Sequence, residues 1–321
     1  MNDWTPERAF TGGLTGLGQE NWFSGATSLF RRRYAAEPAG ADVAVLGVPF
    51  DQAVTNRPGA RFGPRAIRQA STMISWPGGP WRWSADPFAH LAVVDTGDLF
   101  HDTGDPMGLA AALEARAAAI IASGAKILAL GGDHFTTWPI LKAYAARHGP
   151  IALVQFDSHS DTWRDEGNRI DHGTMFFRAV EEGTVDAARS VQVGIRSGNP
   201  ETHGFTILDA DHVADHGPAK VASRIREVVG EGPAYLTFDI DFLDPAYAPG
   251  TGTPVCGGPS TNTAERILCG LAGIDFVGMD IVEVAPAYDV AETTALAAAT
   301  VAMNMMGLFA LLKGAPGLSV R

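Results

Sequence analysis

The stretch IALVQFDSHSDTW, residues 151–163, is an apolar run that ends in side chains able to bind a metal ion. Asp157, His159 and Asp161 stand at alternate positions directly after the run. Successive side chains of a strand point to opposite faces, so these three groups would share one face if the strand continued. Burying several unpaired charges together is costly, and a bound cation would remove that cost. The stretch therefore predicts a metal site at the end of a buried strand.

Similar apolar runs alternate with helical patterns along the whole chain. Strands are predicted at 43–48, 91–95, 126–130, 151–156, 191–195, 234–238 and 276–282. Helices are predicted at 64–70, 107–123, 137–147, 175–182, 219–229, 263–272 and 292–312. Continuous β-branched strands separated by helices indicate an α/β fold with a parallel sheet covered on both faces. With no convincing linker, residues 1–321 are predicted to form one domain, with an irregular surface arm over residues 1–40.

Further ligand types follow other predicted strands, where ligands of parallel α/β sheets bind. The six candidate metal ligands are His134, Asp157, His159, Asp161, Asp239 and Asp241. Six ligands exceed what one open site needs and suit two divalent ions. A set of carboxylate and imidazole ligands without thiolate favours Mn²⁺ or another hard to borderline metal ion. Each short motif alone has an ordinary structural explanation, such as a cap or a turn, but their joint occurrence favours metal binding.

The charge of this cluster also bears on the chemistry. Four carboxylates balance two divalent ions, and a bridging hydroxide would leave the cluster at about −1, so the site would attract a cationic group. Divalent ions lower the pKa of bound water toward neutrality, which supplies a nucleophile. These points favour a hydrolase acting on a cationic electrophile. A dinuclear phosphoesterase is an alternative, but it would gather Arg or Lys around the metals, and the acidic motifs supply none nearby.

Composition argues against several other classes of protein. Hydrophobic residues make up 46% and charged residues 19% of the 321, which is globular rather than disordered. The net charge of −12 disfavours a nucleic-acid or anionic-membrane surface. Two cysteines without CxxC spacing and a start that lacks a signal-peptide pattern predict a cytoplasmic protein. The uncharged run 295–312 approaches the length of a membrane span, but its alanine-rich composition favours a buried helix.

The motifs resemble those of the ureohydrolase family, which holds arginase, agmatinase and guanidinobutyrase. The matching stretches are GVPFD (47–51), RPGARFGPRAIR (57–68), GGDHF (131–135), DSHSDT (157–162), DHGTMF (171–176), TFDIDFLDPAYAPGTGTP (237–254) and GMDIVEVAPAYD (278–289). The resemblance implies a three-layer α/β/α sandwich on a mostly parallel eight-stranded sheet, and a homotrimer or homohexamer. The motifs HGTMF, GTGTP and VEVAPAYD are most similar in sequence to those of bacterial agmatinases. That similarity implies a small cationic guanidino substrate and cleavage of agmatine to urea and putrescine, a step of polyamine biosynthesis.

The resemblance also implies roles for individual residues. One Mn²⁺ would be held by His134, Asp157, Asp161 and Asp239, and the other by Asp157, His159, Asp239 and Asp241. His172 would carry a proton to the leaving amine, Glu283 would hold the guanidinium, and Asp161 would accept a hydrogen bond from the nucleophile. Ser158 stands where the family usually has Ala, and its side chain is expected to face away from the neighbouring ligands.

The part of the site that binds the substrate tail is less well specified. Arginase-like members bind the amino-acid end through a pattern of Asn and Ser residues, and TWRDEGNRID, residues 162–171, lacks that pattern. Arginine is therefore not the expected substrate. The ammonium of agmatine could contact Asp165 or Glu166, whereas a carboxylate tail could contact Arg164 or Arg169.

Two alternatives remain beside agmatine hydrolysis. A guanidinobutyrase, or another enzyme acting on guanidino acids, is the first, because the loop carries both signs of charge. A non-catalytic regulatory paralogue is more remote, since none of the ligands is lost. Trp76, Trp81 and Trp83 are expected to be packing residues, with a cation–π wall as the alternative.

Overall fold

The computed structural model describes residues 23–75, 79–165 and 169–321. The strands in these ranges are β1 (Arg33–Tyr34), β2 (Val43–Gly47), β3 (Val93–Asp98), β4 (Lys126–Leu130), β5 (Ala152–Phe156), β6 (Val191–Val193), β7 (Thr206–Leu208), β8 (Ala234–Asp239) and β9 (Phe276–Val282). The helices are α1 (Gly63–Ser71), α2 (Pro106–Ala122), α3 (Thr137–His148), α4 (Met175–Glu181), α5 (Ala210–Val229), α6 (Thr261–Cys269) and α7 (Thr293–Leu312).

All of these strands belong to one sheet with the order β1-β3-β2-β4-β9-β8-β5-β6-β7, and every neighbouring pair is parallel. Helices α1, α5, α6 and α7 cover one face, and α2, α3 and α4 cover the other. Alternate strand residues feed the two cores: Val43 and Val45 pack into the first, Ala44 and Leu46 into the second. The predicted three-layer α/β/α sandwich is confirmed, with nine strands instead of eight.

The two strands that the sequence missed, β1 and β7, are among the shortest ones. β1 has two residues and β7 has three, too few for a hydrophobic period to be recognised. β1 also corrects the expected irregular arm over residues 1–40. Within the described part of that arm, Leu29 and Phe30 are fully buried, and the Leu29 amide donates to the Asp95 carboxylate. The segment is therefore packed against the sheet edge.

Helix α7 is the apolar segment whose sequence raised the question of a membrane span. It is long and apolar enough to cross a membrane, with a mean hydropathy of 1.9, but 78% of that window is buried inside the protein. Trp83 packs against Gly307 of this helix and donates its indole N–H to Asn304. The prediction of a buried core helix is confirmed.

Candidate metal centre and active site

Four neighbouring strands of the sheet, β4, β9, β8 and β5, end at the same edge. His134 follows β4, Asp157 follows β5, Asp239 is the last residue of β8, and Glu283 follows β9. Parallel strands present their carboxyl ends together, and that edge is where open α/β sheets bind ligands. The topology therefore brings together residues that lie up to about half the chain apart.

The six predicted ligands form one cluster with two overlapping groups, and all but the partly exposed His159 are buried. His134 Nδ1 lies 2.9 Å from Asp161 Oδ2, 3.1 Å from Asp157 Oδ2 and 3.3 Å from Asp239 Oδ2. His159 Nδ1 lies 3.1 Å from Asp241 Oδ2 and 3.5 Å from Asp157 Oδ1. Asp157 is common to both groups, each of which has a geometry that could hold a metal ion.

The electrostatics of the cluster fit bound cations. His134 Nδ1 is buried and has no hydrogen-bond partner among the described residues, although three carboxylate oxygens surround it. Burial and the neighbouring Asp157 raise the pKa of Asp161 to about 7. Burial, Asp241 and Asp157 raise the pKa of Asp239 well above its usual range. Divalent cations would relieve this repulsion and use the free nitrogen, so the residues fit the implied metals.

A chain of hydroxyl groups fixes the orientation of the His134 ring. Its Nε2 lies 2.8 Å from Thr237 Oγ1, and that hydroxyl donates to Asp280 Oδ1 at 2.5 Å. Asp280 also accepts hydrogen bonds from Tyr235 and Thr137. With its hydroxyl hydrogen committed to Asp280, Thr237 can only accept from His134, which leaves Nδ1 as a lone pair directed at the carboxylates. Sequence reasoning missed these residues, although Thr237 and Asp280 are visible as polar positions inside apolar strands.

The alternating positions of the ligands had suggested that they share one strand face. The structure shows that they do not. β5 ends at Phe156, and the chain then bends so that the His159 amide donates to Asp157 Oδ1 at 2.7 Å. Asp161 has a φ of 53°, in the left-handed region. Asp241 likewise lies in the short 3₁₀ turn Ile240–Phe242 that follows β8. Tight turns, rather than the pleat, bring these carboxylates together.

The same bend overturns the expectation for Ser158. Its hydroxyl donates to Asp241 Oδ1 at 2.7 Å and lies 3.0 Å from His159 Nδ1. The side chain therefore faces the ligand cluster instead of pointing away from it. The expectation failed because it assumed extended backbone at residues 157–159.

His172 and Glu283 form a pair beside the cluster. His172 Nδ1 lies 2.8 Å from Glu283 Oε1, which also accepts from the His134 amide at 2.9 Å. Burial opposes protonation of His172, but Glu283, and after it Asp161 and Asp133, raise the pKa of its imidazole to about 9. Glu283 Oε2 is buried and has no hydrogen-bond partner among the described residues. This oxygen is an acceptor for which the described protein offers no donor.

A cavity of about 350 Å³ opens directly onto the cluster. Its walls include the ligands His159, Asp161 and Asp239, the candidate shuttle His172, and the outer residues Thr55, Trp163, Arg164 and Arg169. Trp163 was not singled out by sequence, whereas Trp81 and Trp83 lie outside this lining and Trp76 lies outside the described residues. Trp83 is fully buried, as expected of a packing residue.

The four candidates for binding a substrate tail are placed differently. Arg164 and Arg169 line the cavity, where they pair with Glu201 and Asp171. The Asp165 carboxylate is buried, pairs with Arg178 and accepts from the Arg169 amide. Asp165 is therefore engaged within the protein and does not belong to the cavity lining, contrary to the expected contact with an ammonium tail. Glu166 lies outside the described residues.

The fold and the cluster together define an α/β protein with a two-metal type of site at the carboxyl edge of a parallel sheet. The model of the arginase family matches residues 41–307. The chain belongs to the arginase family, as the motifs predicted.

Individual relatives match most of the chain. An agmatinase from Chromobacterium violaceum is 48% identical over 298 residues, which is 92% of each chain. An agmatinase from Edwardsiella ictaluri is 51% identical over 83% of this chain and 87% of its own. The crystal structure of a hypothetical agmatinase from Burkholderia thailandensis has a TM-score of 0.91 at 48% identity, covering 94% of this chain and 96% of that one. Proclavaminate amidino hydrolase from Streptomyces clavuligerus has a TM-score of 0.86 at 35% identity, covering 91% and 99%.

Proposed function

We propose that the protein is a metal-dependent hydrolase of guanidino compounds that cleaves agmatine to urea and putrescine. The observation that carries the proposal is the unpaired, buried Oε2 of Glu283, next to His172 and beside the two ligand groups. A guanidinium supplies the N–H donors that such an oxygen lacks. Relatives named agmatinase at 48–51% identity over most of the chain support agmatine as the substrate.

The proposal includes two Mn²⁺ ions per chain. The residues that would hold them are His134, Asp157, His159, Asp161, Asp239 and Asp241. When bound, such ions would lower the pKa of a water molecule, which supplies the nucleophile, and would act as Lewis acids toward the reacting group. The oxygen and imidazole ligands are of the kind that Mn²⁺ accepts.

The remaining steps belong to side chains that line the cavity and to Glu283, which lies behind the lining residue His172. Glu283 Oε2 accepts hydrogen bonds from the guanidinium and fixes the orientation of its central carbon. A side chain at Gly252 would approach Oε2 to 3.3 Å, so glycine leaves that approach open. Asp161 accepts a hydrogen bond from the attacking oxygen. His172 carries a proton from its Nε2 to the nitrogen that leaves as the amine.

A second candidate substrate has a carboxylate tail, as in 4-guanidinobutyrate. Arg164 and Arg169 line the cavity, and a cationic lining suits an anionic tail better than an ammonium. Each arginine is already paired with a carboxylate, which reduces this preference. Agmatine therefore stays the first candidate.

Urea release from a panel of guanidino compounds tests the proposal. The protein is loaded with Mn²⁺ and assayed with agmatine, 4-guanidinobutyrate, 3-guanidinopropionate and L-arginine. We expect agmatine to give the highest kcat/KM and arginine a low one. A lead for either of the two guanidino acids would replace agmatine with that class. Absence of urea from every compound would refute the ureohydrolase function.

The proposal extends to the setting of the enzyme. We place it in the cytoplasm, in polyamine biosynthesis, as a homotrimer or homohexamer. Sedimentation velocity of the Mn²⁺-loaded protein would distinguish the two assemblies, because their masses differ twofold.

A further inference from the structure

The Nε2 atom of His172 contacts Thr55, a residue to which the proposed chemistry assigns no role. His172 Nδ1 is occupied by Glu283, so Nε2 is the nitrogen that can exchange a proton with the cavity. The Thr55 backbone amide lies 3.1 Å from this Nε2, and the Thr55 hydroxyl lies 2.9 Å from it. Thr55 also lines the cavity.

The segment that carries Thr55 is fixed on both sides of this contact. The Ala53 amide donates to Asp133, the residue before the ligand His134, and the Ala53 carbonyl accepts from the His172 amide. Beyond Thr55, the Gly59 amide donates to the buried Asp51 carboxylate at 2.8 Å. The contact between Thr55 and His172 is thus held by neighbouring hydrogen bonds that tie the segment to the site.

The two groups of Thr55 can serve the two protonation states of His172. A backbone N–H can only donate, so it is a partner for an unprotonated Nε2. A threonine hydroxyl can rotate, and its oxygen can accept a hydrogen bond when Nε2 carries a proton. A residue offering both groups at one nitrogen can keep the ring oriented throughout a proton transfer.

We propose that Thr55 is a positioning residue for His172, whose hydroxyl holds Nε2 while the proton passes to the leaving amine. The inference rests on the proposed function. In that step the Nε2–H bond breaks and an N–H bond forms on the leaving nitrogen. The C–N electron pair stays with that nitrogen, and His172 returns to its neutral form. The Thr55 backbone amide then donates to the unprotonated Nε2, and the Thr55 hydroxyl no longer accepts from it.

The decisive variant is Thr55→Val, which removes the hydroxyl but keeps the shape and the backbone amide. We expect kcat to fall roughly ten- to hundredfold, the loss typical of one hydrogen bond to a charged group, with KM nearly unchanged. Thr55→Ser should retain most of the wild-type kcat, and both variants should bind the same amount of Mn²⁺ as the wild type. Thr103→Val serves as the matched control, because Thr103 is exposed and lies outside the cavity lining.

A double-mutant cycle shows whether Thr55 acts through His172. In a His172→Ala background, Thr55→Val should cause no further loss of kcat, since contacting residues are not additive. An equal loss in both backgrounds, or a Thr55→Ser variant as slow as Thr55→Val, would overturn the inference. A wild type that is active while Thr55→Val is unimpaired overturns this inference alone. A wild type that releases no urea overturns the proposed function and this inference with it.

Discussion

Asp157 in the ligand cluster is completely buried, whereas the side chain of Arg169 on the rim of the same cavity is 70% exposed. The cluster ligands are held by further buried partners, such as Thr237 behind His134. The rim arginines, whose side chains are 63% and 70% exposed, are each paired with one carboxylate, that of the exposed Glu201 or that of the mostly buried Asp171.

This difference in burial predicts how substitutions will affect each of the two regions. A buried charge that loses its partner is strongly destabilising, so substitutions in the cluster should disturb metal binding and folding together. Exposed ion pairs contribute little, so substitutions on the rim should alter substrate preference without affecting the metals. We therefore expect the chemistry to depend on the buried strand ends, and the choice of substrate tail to depend on the exposed side chains of Arg164 and Arg169.

The largest effect is expected from Asp157→Ala. Asp157 belongs to both ligand groups, so its loss should remove both ions and abolish urea release. Asp241→Ala is the matched comparison, since Asp241 belongs to one group and should leave more metal bound. Metal content per chain by mass spectrometry, with activity before and after Mn²⁺ is added back, measures this. An Asp157→Ala protein that retains two ions would contradict the shared-ligand arrangement.

His172→Ala should separate catalysis from metal binding. His172 contacts Glu283 and Thr55 and belongs to neither metal group, so the variant should keep its metal. Turnover should fall by roughly 10² to 10⁴, the usual contribution of a general acid or base. Steady-state kinetics and metal analysis on the same preparation give both values. If the variant loses metal, His172 is a ligand and the assignment as a shuttle is wrong.

A smaller effect is expected from Thr237→Val, which removes the hydroxyl that fixes the His134 ring. Loss of a partner behind a metal ligand typically weakens metal affinity about 10- to 100-fold. At saturating Mn²⁺ the variant should recover most of its turnover. Thr96→Val is the control, because the Thr96 hydroxyl bonds to the Val45 carbonyl, on a different strand from the ligands. Equal Mn²⁺ dissociation constants for the two variants would show that the hydroxyl chain does not act on the metal site.

The contrast between regular strands and the turns that follow them explains which features the sequence could predict. Strands β4 and β9 were predicted at their observed bounds, because continuous apolar runs are easily recognised. The six candidate ligands were selected by residue type and by their position after strands. Their local geometry was not predicted. Tight turns replace the strand at residues 157–161 and 240–242, and an alternating pattern of residues does not reveal where a strand ends in a turn. Helix α5 was predicted too short, at 219–229, because the helix continues through a kink at Gly217 and Pro218 and begins at Ala210.

Contacts between distant segments could not be read from the sequence. Thr55 and His172 are 117 residues apart, and no local pattern links them. The pairing of Asp165 with Arg178 was missed for a similar reason. The sequence around an acidic residue in a charged loop does not indicate which cation it will contact. Such pairings depend on how loops pack over the finished sheet.

The smallest effects are expected on the rim, from Arg164→Ala and Arg169→Ala. Removing a cation near the substrate tail should lower KM for agmatine and raise it for 4-guanidinobutyrate. Each change should stay within about fivefold, because exposed ion pairs are worth roughly 0.2–1 kcal/mol. The shifts should shrink at high salt, since solvent-exposed charges are screened. Arg224→Ala is the matched control: Arg224 is exposed and pairs with Glu227 on α5, away from the cavity. Metal content should be unchanged in all three variants, and a rim variant that loses metal would break the proposed separation between the buried cluster and the exposed rim.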